Sequence, residues 1–213
     1  MLKKNSTIFL AGHKGMVGSA ILRKLKLYGY NNIIVENKKN LNLLDQKKVF
    51  NFINRIKPKV VIIAAARVGG IFINSRNKAN FIYQNLTIQN NLIHGSYLAG
   101  VKKLIFLGSS CVYPKFAPQP VKEEHLLSGK LESTNDAYAV AKISGIMMCK
   151  SYSEQFNLEY KCLMPPNMYG PNDNYDTLTS HFFSALIKKI YLAKHNSLKT
   201  IKIWGDGSPK REL

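Results

Sequence analysis

Thr7-Ile8-Phe9-Leu10-Ala11-Gly12-His13-Lys14-Gly15-Met16-Val17-Gly18-Ser19-Ala20 decides the fold. A short apolar run, the right length for one strand, breaks at a glycine and passes directly into an amphipathic stretch. There Ile21, Leu25 and Tyr28 share one stripe, with Arg23, Lys24 and Lys26 opposite. Strand, glycine turn and helix in that order open a sheet with crossover helices. The glycines let the backbone approach a pyrophosphate at the helix N-terminus. The spacing is GxxGxxG, not GxGxxG, so the triplet alone does not separate a dinucleotide site from a tight turn; its place in the first strand-turn-helix unit favours the dinucleotide.

Outward from this unit, short β-branched runs alternate with longer amphipathic ones, the pattern of a doubly wound parallel α/β sheet of the Rossmann type. Strands are expected at 8–11, 33–35, 60–64, 104–107 and 160–163. Helices are expected from 16 to about 28, and over 46–56, 77–99, 137–155 and 178–194, the third of these closing at Gly100 as a C-cap. Val60-Val61-Ile62-Ile63-Ala64-Ala65-Ala66 reads as a strand buried on both faces. After Leu163 the texture changes to Pro165-Pro166-Asn167-Met168-Tyr169-Gly170-Pro171-Asn172-Asp173-Asn174, a loop too rich in breakers for any element. The expected division is therefore a dinucleotide-binding domain at 1–164 and the start of a smaller substrate-binding region at 165–213. The end at Arg211-Glu212-Leu213, just after the strand-like Ile201-Lys202-Ile203-Trp204, reads as an incomplete lobe.

Lys+Arg 31 against Asp+Glu 12 gives a formal charge of +19, which would suit an anionic partner. The basic residues are scattered, however, and no basic stripe interleaves with aromatics, so no nucleic-acid partner is expected. The 3 cysteines, Cys111, Cys149 and Cys162, lack the spacing of a disulfide framework or a metal site. No metal is expected, and a reducing cytoplasm fits. The N-terminal apolar run is too short for a signal peptide, and the longest apolar stretch stops at Arg67, so no membrane association is expected.

Cofactor choice depends on what meets the adenosine ribose beyond the second strand. Glu36 would accept hydrogen bonds from a free ribose hydroxyl; Lys38, Lys39 and Lys14 could hold the 2′-phosphate of NADP. Asp45 could reach the adenine or cap the helix after it. Tyr138 and Lys142, four apart, share one helix face. With 11 tyrosines and abundant lysines such a pair arises by chance, so its context decides. It follows the fourth strand, whose end carries Gly108-Ser109-Ser110-Cys111, where ligands bind in such sheets. A carbonyl being reduced needs a proton donor. A lysine charge at ~4 Å of a phenol supplies about 4 kcal/mol, enough to bring its pKa from ~10 towards ~7. Ser109 would hydrogen-bond the same carbonyl oxygen.

The glycine turn, the Ser-Ser-Cys strand end and the Tyr138-Ala139-Val140-Ala141-Lys142 helix resemble an extended short-chain dehydrogenase/reductase. Ala11 to Ala20, Leu41-Asn42-Leu43-Leu44-Asp45, Val68-Gly69-Gly70-Ile71, Phe81-Ile82-Tyr83-Gln84-Asn85 and Leu107-Gly108-Ser109-Ser110-Cys111-Val112-Tyr113-Pro114-Lys115 narrow the resemblance to the GDP-L-fucose synthase family. The resemblance implies an NADP(H)-dependent, cytoplasmic homodimer acting on GDP-4-keto-6-deoxy-D-mannose, with 3,5-epimerisation followed by reduction at C4. The C4 ketone acidifies both neighbouring C–H bonds, so one acid/base pair can invert each centre through an enolate. The resemblance places that pair at Cys111 and His181, the proton donor to C4 at Tyr138, its partner and ribose anchor at Lys142, and the carbonyl hydrogen bond at Ser109. For the cofactor it implies Gly12, His13, Lys14, Gly15, Met16, Val17, Gly18, Lys38, Asn42, Leu43, Asp45, Leu107, Gly108, Ser110, Pro165, Asn167 and Met168, with Lys142 and His181 shared. For the GDP moiety it implies Lys189, Trp204 and Arg211. Departures from the family are Pro166 in place of threonine, Lys189 in place of arginine, which loses bidentate contact, and Glu36 where a basic residue can stand.

Alternative readings are an NAD-dependent 4-epimerase or 4,6-dehydratase on a UDP- or dTDP-sugar, and a non-catalytic dinucleotide-sensing protein. The dehydratase needs an acidic pair where Ser110-Cys111 stands. The sensor normally forfeits the Ser-Tyr-Lys set, which is complete here.

Overall fold

The computed structural model describes residues 2–176, 179–203, 205 and 207. Five parallel strands, β1 (Ile8–Ala11), β2 (Ile33–Ile34), β3 (Val60–Ile63), β4 (Lys103–Leu107) and β5 (Glu159–Leu163), form one sheet in the order β2-β1-β3-β4-β5. The helices are α1 (Met16–Leu27), α2 (Gln46–Ile56), α3 (Ile71–Arg76), α4 (Lys78–Leu98), α5 (Asp136–Phe156) and α6 (Phe182–His195).

The alternation of side chains along each strand builds two cores. Phe9, Val61, Ile63, Leu104 and Phe106 face α2, α4 and α5, meeting Val49, Ile53, Leu92, Ile93 and Ile146. Ile8, Leu10, Val60 and Ile62 face the other way and are covered by Ile21, Leu22 and Leu25 of α1. Helices therefore lie on both faces, and burying β1 and β3 on both sides is what their continuous apolar runs require. The strand order reverses between β1 and β3, so the crevice above their C-terminal ends is the place for a ligand.

Several expectations are adjusted. Tyr28 does not join the buried stripe of α1; it is the C-cap, exposed, with its ring under the Lys24 ammonium at 5.0 Å. The expected helix over 77–99 is α4, preceded by the extra helix α3, which starts directly after Gly69-Gly70. As expected, Gly100 closes α4: it takes a positive φ of 73° and donates to the Tyr97 carbonyl at 2.9 Å. α6 begins at Phe182 rather than at 178, because His181 is extended (φ −69°, ψ 159°) and the Thr179 carbonyl is engaged by Gly70. Residues 201–203, expected as strand, form none, since no neighbouring strand among the described residues offers them a ladder.

Candidate active site

The loops leaving β1, β3, β4 and β5 gather at one edge of the sheet. Gly12 has φ +92°, and a Cβ there would stand 2.5 Å from the Ala65 nitrogen; a Cβ on Gly18 would overlap the Gly12 carbonyl. Both are therefore positions that only glycine can occupy. No side chain caps α1, and its first turn carries no acidic residue, so its leading N–H groups remain for an anion. The His13 Nδ1 is buried without a partner among the described residues, and burial, reinforced by Lys14 and opposed by Glu36, pulls its pKa down. A close-packed glycine turn, an uncapped helix start and an unpaired imidazole nitrogen together fit a pyrophosphate-bearing cofactor.

At the expected ribose end, the Glu36 carboxylate accepts the Asn40 side-chain amide at 3.0 Å, while Lys38 and Lys39 are exposed. Asp45 acts as a cap: its Oδ1 accepts the Lys48 amide at 3.0 Å, and that bond, with the Lys48 ammonium, holds its carboxyl below the usual range. Asn42 folds over its own loop by accepting the Leu44 amide.

Ser109, Cys111, Tyr138 and Lys142 come together beyond the ends of β4 and β5. The Gly108 amide donates to the Leu163 carbonyl at 2.8 Å and the Ser110 amide to Pro165 at 3.1 Å, so the strand-four and strand-five loops are locked side by side. Ser109 sits extended at the start of a single 3₁₀ turn, and its hydrogen bonding favours the ionised forms of both Cys111 and Tyr138. α5 places Tyr138 and Lys142 one turn apart with the lysine inside: Nζ donates to the Leu107 carbonyl at 2.6 Å and lies 4.6 Å from the Phe106 ring.

The expected lowering of the tyrosine pKa by the lysine is not what the structure shows. The Lys142 Nζ is 5.8 Å from the Tyr138 ring centroid and directed at Leu107; burial pushes the phenol up, and a Cys111 charge would push it further. Burial also pulls Lys142 down to about 8. A shared dry pocket penalises every charged form, and that penalty exceeds what the pair returns. Cys111 is pushed up for the same reason, against Ser109 and Lys142.

The lysine shift has a consequence for stability. An unfolded lysine keeps its proton up to 10.5 and the folded one only to about 8, so the unfolded chain binds more protons in that window and stability rises with pH across it. We predict that the unfolding free energy of the wild type minus that of Lys142→Met grows by about 3 kcal/mol from pH 8 to pH 10.5 in urea titrations. A flat difference would refute it.

Sequence reading missed a set of buried amides on α4. Asn85 Oδ1 accepts the Arg67 amide at 2.8 Å and its Nδ2 donates back to the Arg67 carbonyl at 3.0 Å, fixing the loop after β3. Gln89 donates to the Ala141 carbonyl at 2.6 Å, holding the helix that carries Tyr138, and Asn91 donates to Leu43 at 2.9 Å, holding the loop after β2. The available signal was three amide side chains close together in a helix that is otherwise apolar where it meets the sheet. Asn85→Leu is expected to cost roughly 1–3 kcal/mol of stability by removing both half-buried hydrogen bonds to the Arg67 backbone. Its dissociation constant for NADPH should rise about tenfold, measured by fluorescence titration, since the loop it clamps abuts Gly12.

The structure does not bring His181 into that cluster. It is exposed at the N-cap of α6, makes no side-chain cap bond, and contributes nothing to the ionisation of Cys111. Pro165 is tied to Ser110 as above, with Asn167 exposed and Met168 half-buried in the same loop. Lys189 lies on α6 with its ammonium on the Lys202 carbonyl at 2.9 Å. Trp204 and Arg211 lie outside the described residues.

Residues 8–213 match the NAD dependent epimerase/dehydratase family. The chain is 50% identical over 213 residues to a putative GDP-L-fucose synthase 2 of Arabidopsis thaliana, covering 100% of this chain and 65% of that protein. It is 46% identical over 206 residues to a GDP-L-fucose synthase of Escherichia coli K12, covering 97% and 64% respectively. In structure it resembles a GDP-L-fucose synthetase of Naegleria fowleri bound to NADP, with a TM-score of 0.87 at 29% identity over 99% of this chain and 69% of that one. The chain thus spans about 65% of the length of the curated relatives it matches.

Proposed function

The chain belongs to the NAD dependent epimerase/dehydratase family, and on that premise we propose that it is the cofactor-binding and catalytic part of an NADPH-dependent enzyme that converts GDP-4-keto-6-deoxy-D-mannose to GDP-L-fucose. The observation that carries this reading is the convergence of Ser109, Cys111, Tyr138 and Lys142 at the sheet edge that also carries the glycine turn. A simple reductase needs the serine, tyrosine and lysine; the thiol beside them is the extra proton-transfer group that an epimerisation next to a ketone requires.

When bound, NADPH would supply the hydride for reduction at C4. Tyr138, neutral because burial holds its proton, donates that proton to the C4 oxygen as the oxygen becomes an alkoxide, and Ser109 hydrogen-bonds the same oxygen beforehand. Lys142 ties the tyrosine helix to the end of β4 through Leu107 and is the nearby cation when the phenolate forms. Before reduction, Cys111 and His181 exchange protons at C3 and C5: one group takes the acidified proton, the enolate forms, and the other returns a proton to the opposite face. Gly12 to Gly18 hold the pyrophosphate, Lys38 and Lys14 the 2′-phosphate, and Pro165, Asn167 and Met168 line the nicotinamide. Residues 165–213 begin the substrate-binding region, where Lys189, Trp204 and Arg211 meet the GDP.

Two further parts of the reading concern assembly and location. The outer surfaces of α4 and α5 expose Tyr83, Leu98, Val140 and Met147, which supports a homodimer through these helices. No described helix is long and apolar enough to cross a membrane, and the free thiols suit a reducing cytoplasm.

The test is to follow NADPH absorbance with the full-length polypeptide that carries this sequence, adding GDP-4-keto-6-deoxymannose or, in parallel, a dTDP-keto sugar. Loss confined to the GDP substrate, with an epimerised product, supports the reading. A folded, NADPH-binding protein that reduces neither substrate refutes it, leaving a UDP-sugar epimerase or a sensing module.

A further inference from the structure

Gly70 packs directly against the segment that ends in His181. Its φ of −66° and ψ of 174° are open to any residue, so backbone conformation does not explain the glycine. Space does. A Cβ there would overlap the Ser180 carbonyl oxygen and lie 3.2 Å from its carbon and 3.3 Å from the Thr179 oxygen, all backbone atoms with no rotamer to turn away. The Gly70 amide also donates to the Thr179 carbonyl at 2.9 Å.

Other hydrogen bonds hold the same segment. Asp176 Oδ1 accepts both the amide and the hydroxyl of Thr179, at 2.8 and 2.9 Å, and the Asp176 carbonyl accepts the Ser180 amide at 3.0 Å. On the far side, Ser184 donates to the Asp173 carboxylate, fixing the first turn of α6. His181 sits between these anchors with no side-chain cap bond and no side-chain hydrogen bond among the described residues, so its position is inherited from the backbone around it. Gly70 is in turn fixed from below: the Asn74 side chain donates to the Gly69 carbonyl at 2.6 Å, and Asn85 clamps Arg67 just upstream.

We infer that Gly70 is a positioning residue for His181: the glycine seats the 179–181 backbone on the β3 loop, the loop that also abuts the cofactor turn at Gly12, and so places the imidazole for proton transfer to the sugar. This inference rests on the reading of His181 as half of the acid/base pair.

The experiment uses the full-length polypeptide and measures deuterium incorporation from D2O at C3 and C5 of GDP-4-keto-6-deoxymannose by mass spectrometry, with NADPH affinity read separately. Gly70→Ala should lose about 10²-fold in exchange rate, because a displacement on the order of 1 Å at a proton-transfer group costs that much. Its NADPH affinity should fall by no more than about tenfold, the loss expected when the same loop is loosened through Asn85, so the exchange defect exceeds what the cofactor site or a general loss of folding would produce. Exchange within about twofold of wild type in a folded Gly70→Ala overturns the inference. His181→Gln separates the two claims: if it retains exchange, or if the wild type shows none, the acid/base reading fails and this inference falls with it. If His181→Gln loses exchange and Gly70→Ala does not, only the inference fails. Should Gly70→Ala not fold, amide hydrogen exchange on the unaltered protein decides: a Gly70 amide protected relative to Gly69 supports the staple, and one exchanging at the free rate overturns it.

Discussion

Tyr138→Phe is expected to lower kcat for NADPH oxidation by about 10²–10⁴, the usual worth of a positioned proton donor, or roughly 3–5 kcal/mol of barrier. The phenol is the protonated group that faces Ser109 at the end of β4, and burial keeps its proton in place at neutral pH. Removing the hydroxyl leaves the aromatic ring to pack as before, so the melting temperature and NADPH affinity should change little. Proton exchange at C3 and C5 should also persist, because it is assigned to Cys111 and His181. The measurement is steady-state NADPH oxidation alongside deuterium exchange on one protein preparation. Unchanged oxidation would remove Tyr138 from the reaction; loss of both activities would mean that the tyrosine serves the epimerisation as well.

Gly12→Ala is expected to abolish measurable NADPH binding and to lower the melting temperature by roughly 5–15 °C. Two costs add. A residue with a side chain at φ +92° is strained by about 1–2 kcal/mol. The new methyl would also meet the Ala65 nitrogen at 2.5 Å and the Ala64 carbon at 2.7 Å, a backbone overlap worth about 1–3 kcal/mol. Any relaxation pushes the β1 and β3 loops apart, and Gly18 leans on the Gly12 carbonyl, so the start of α1 shifts with them. Calorimetry and fluorescence titration would check both effects. A variant that binds NADPH with wild-type affinity would show that the turn tolerates a side chain and that the cofactor is held elsewhere.

The residues that could be read from sequence were those whose signal is local. β1, β3 and α2 occupy the expected residues to within one position, because uninterrupted apolar runs and an Asp45 cap are written in adjacent letters. Ser109, Tyr138 and Lys142 were legible for a different reason: each lies at the end of a strand or the start of a helix, where the topology of a parallel sheet delivers side chains to the ligand edge. The buried amides of α4 were not legible. Asn85 stands in a stretch that carries the family resemblance, but nothing along the chain assigns it, Gln89 or Asn91 a role, because the loops they hold arrive from distant parts of the chain. Nor was α3, a short helix whose N-cap, Gly70, donates to the carbonyl of the distant Thr179.

The sequence by itself determined the order of the strands and of every helix but α3, the glycine turn and the chemical types available at the site, because periodicity, breakers and side-chain identity are properties of neighbouring residues. Only the tertiary structure decided their ionisation and their supports. Burial beside Leu107 and Phe106 moves Lys142 to about 8 and lifts Tyr138, reversing the expectation drawn from charge separation alone. Whether Gly70 needs to be glycine is likewise invisible along the chain, since the atoms that exclude a methyl group belong to Thr179 and Ser180. Desolvation and close packing depend on what the folded chain places around a group, and those neighbours are mostly far away in sequence.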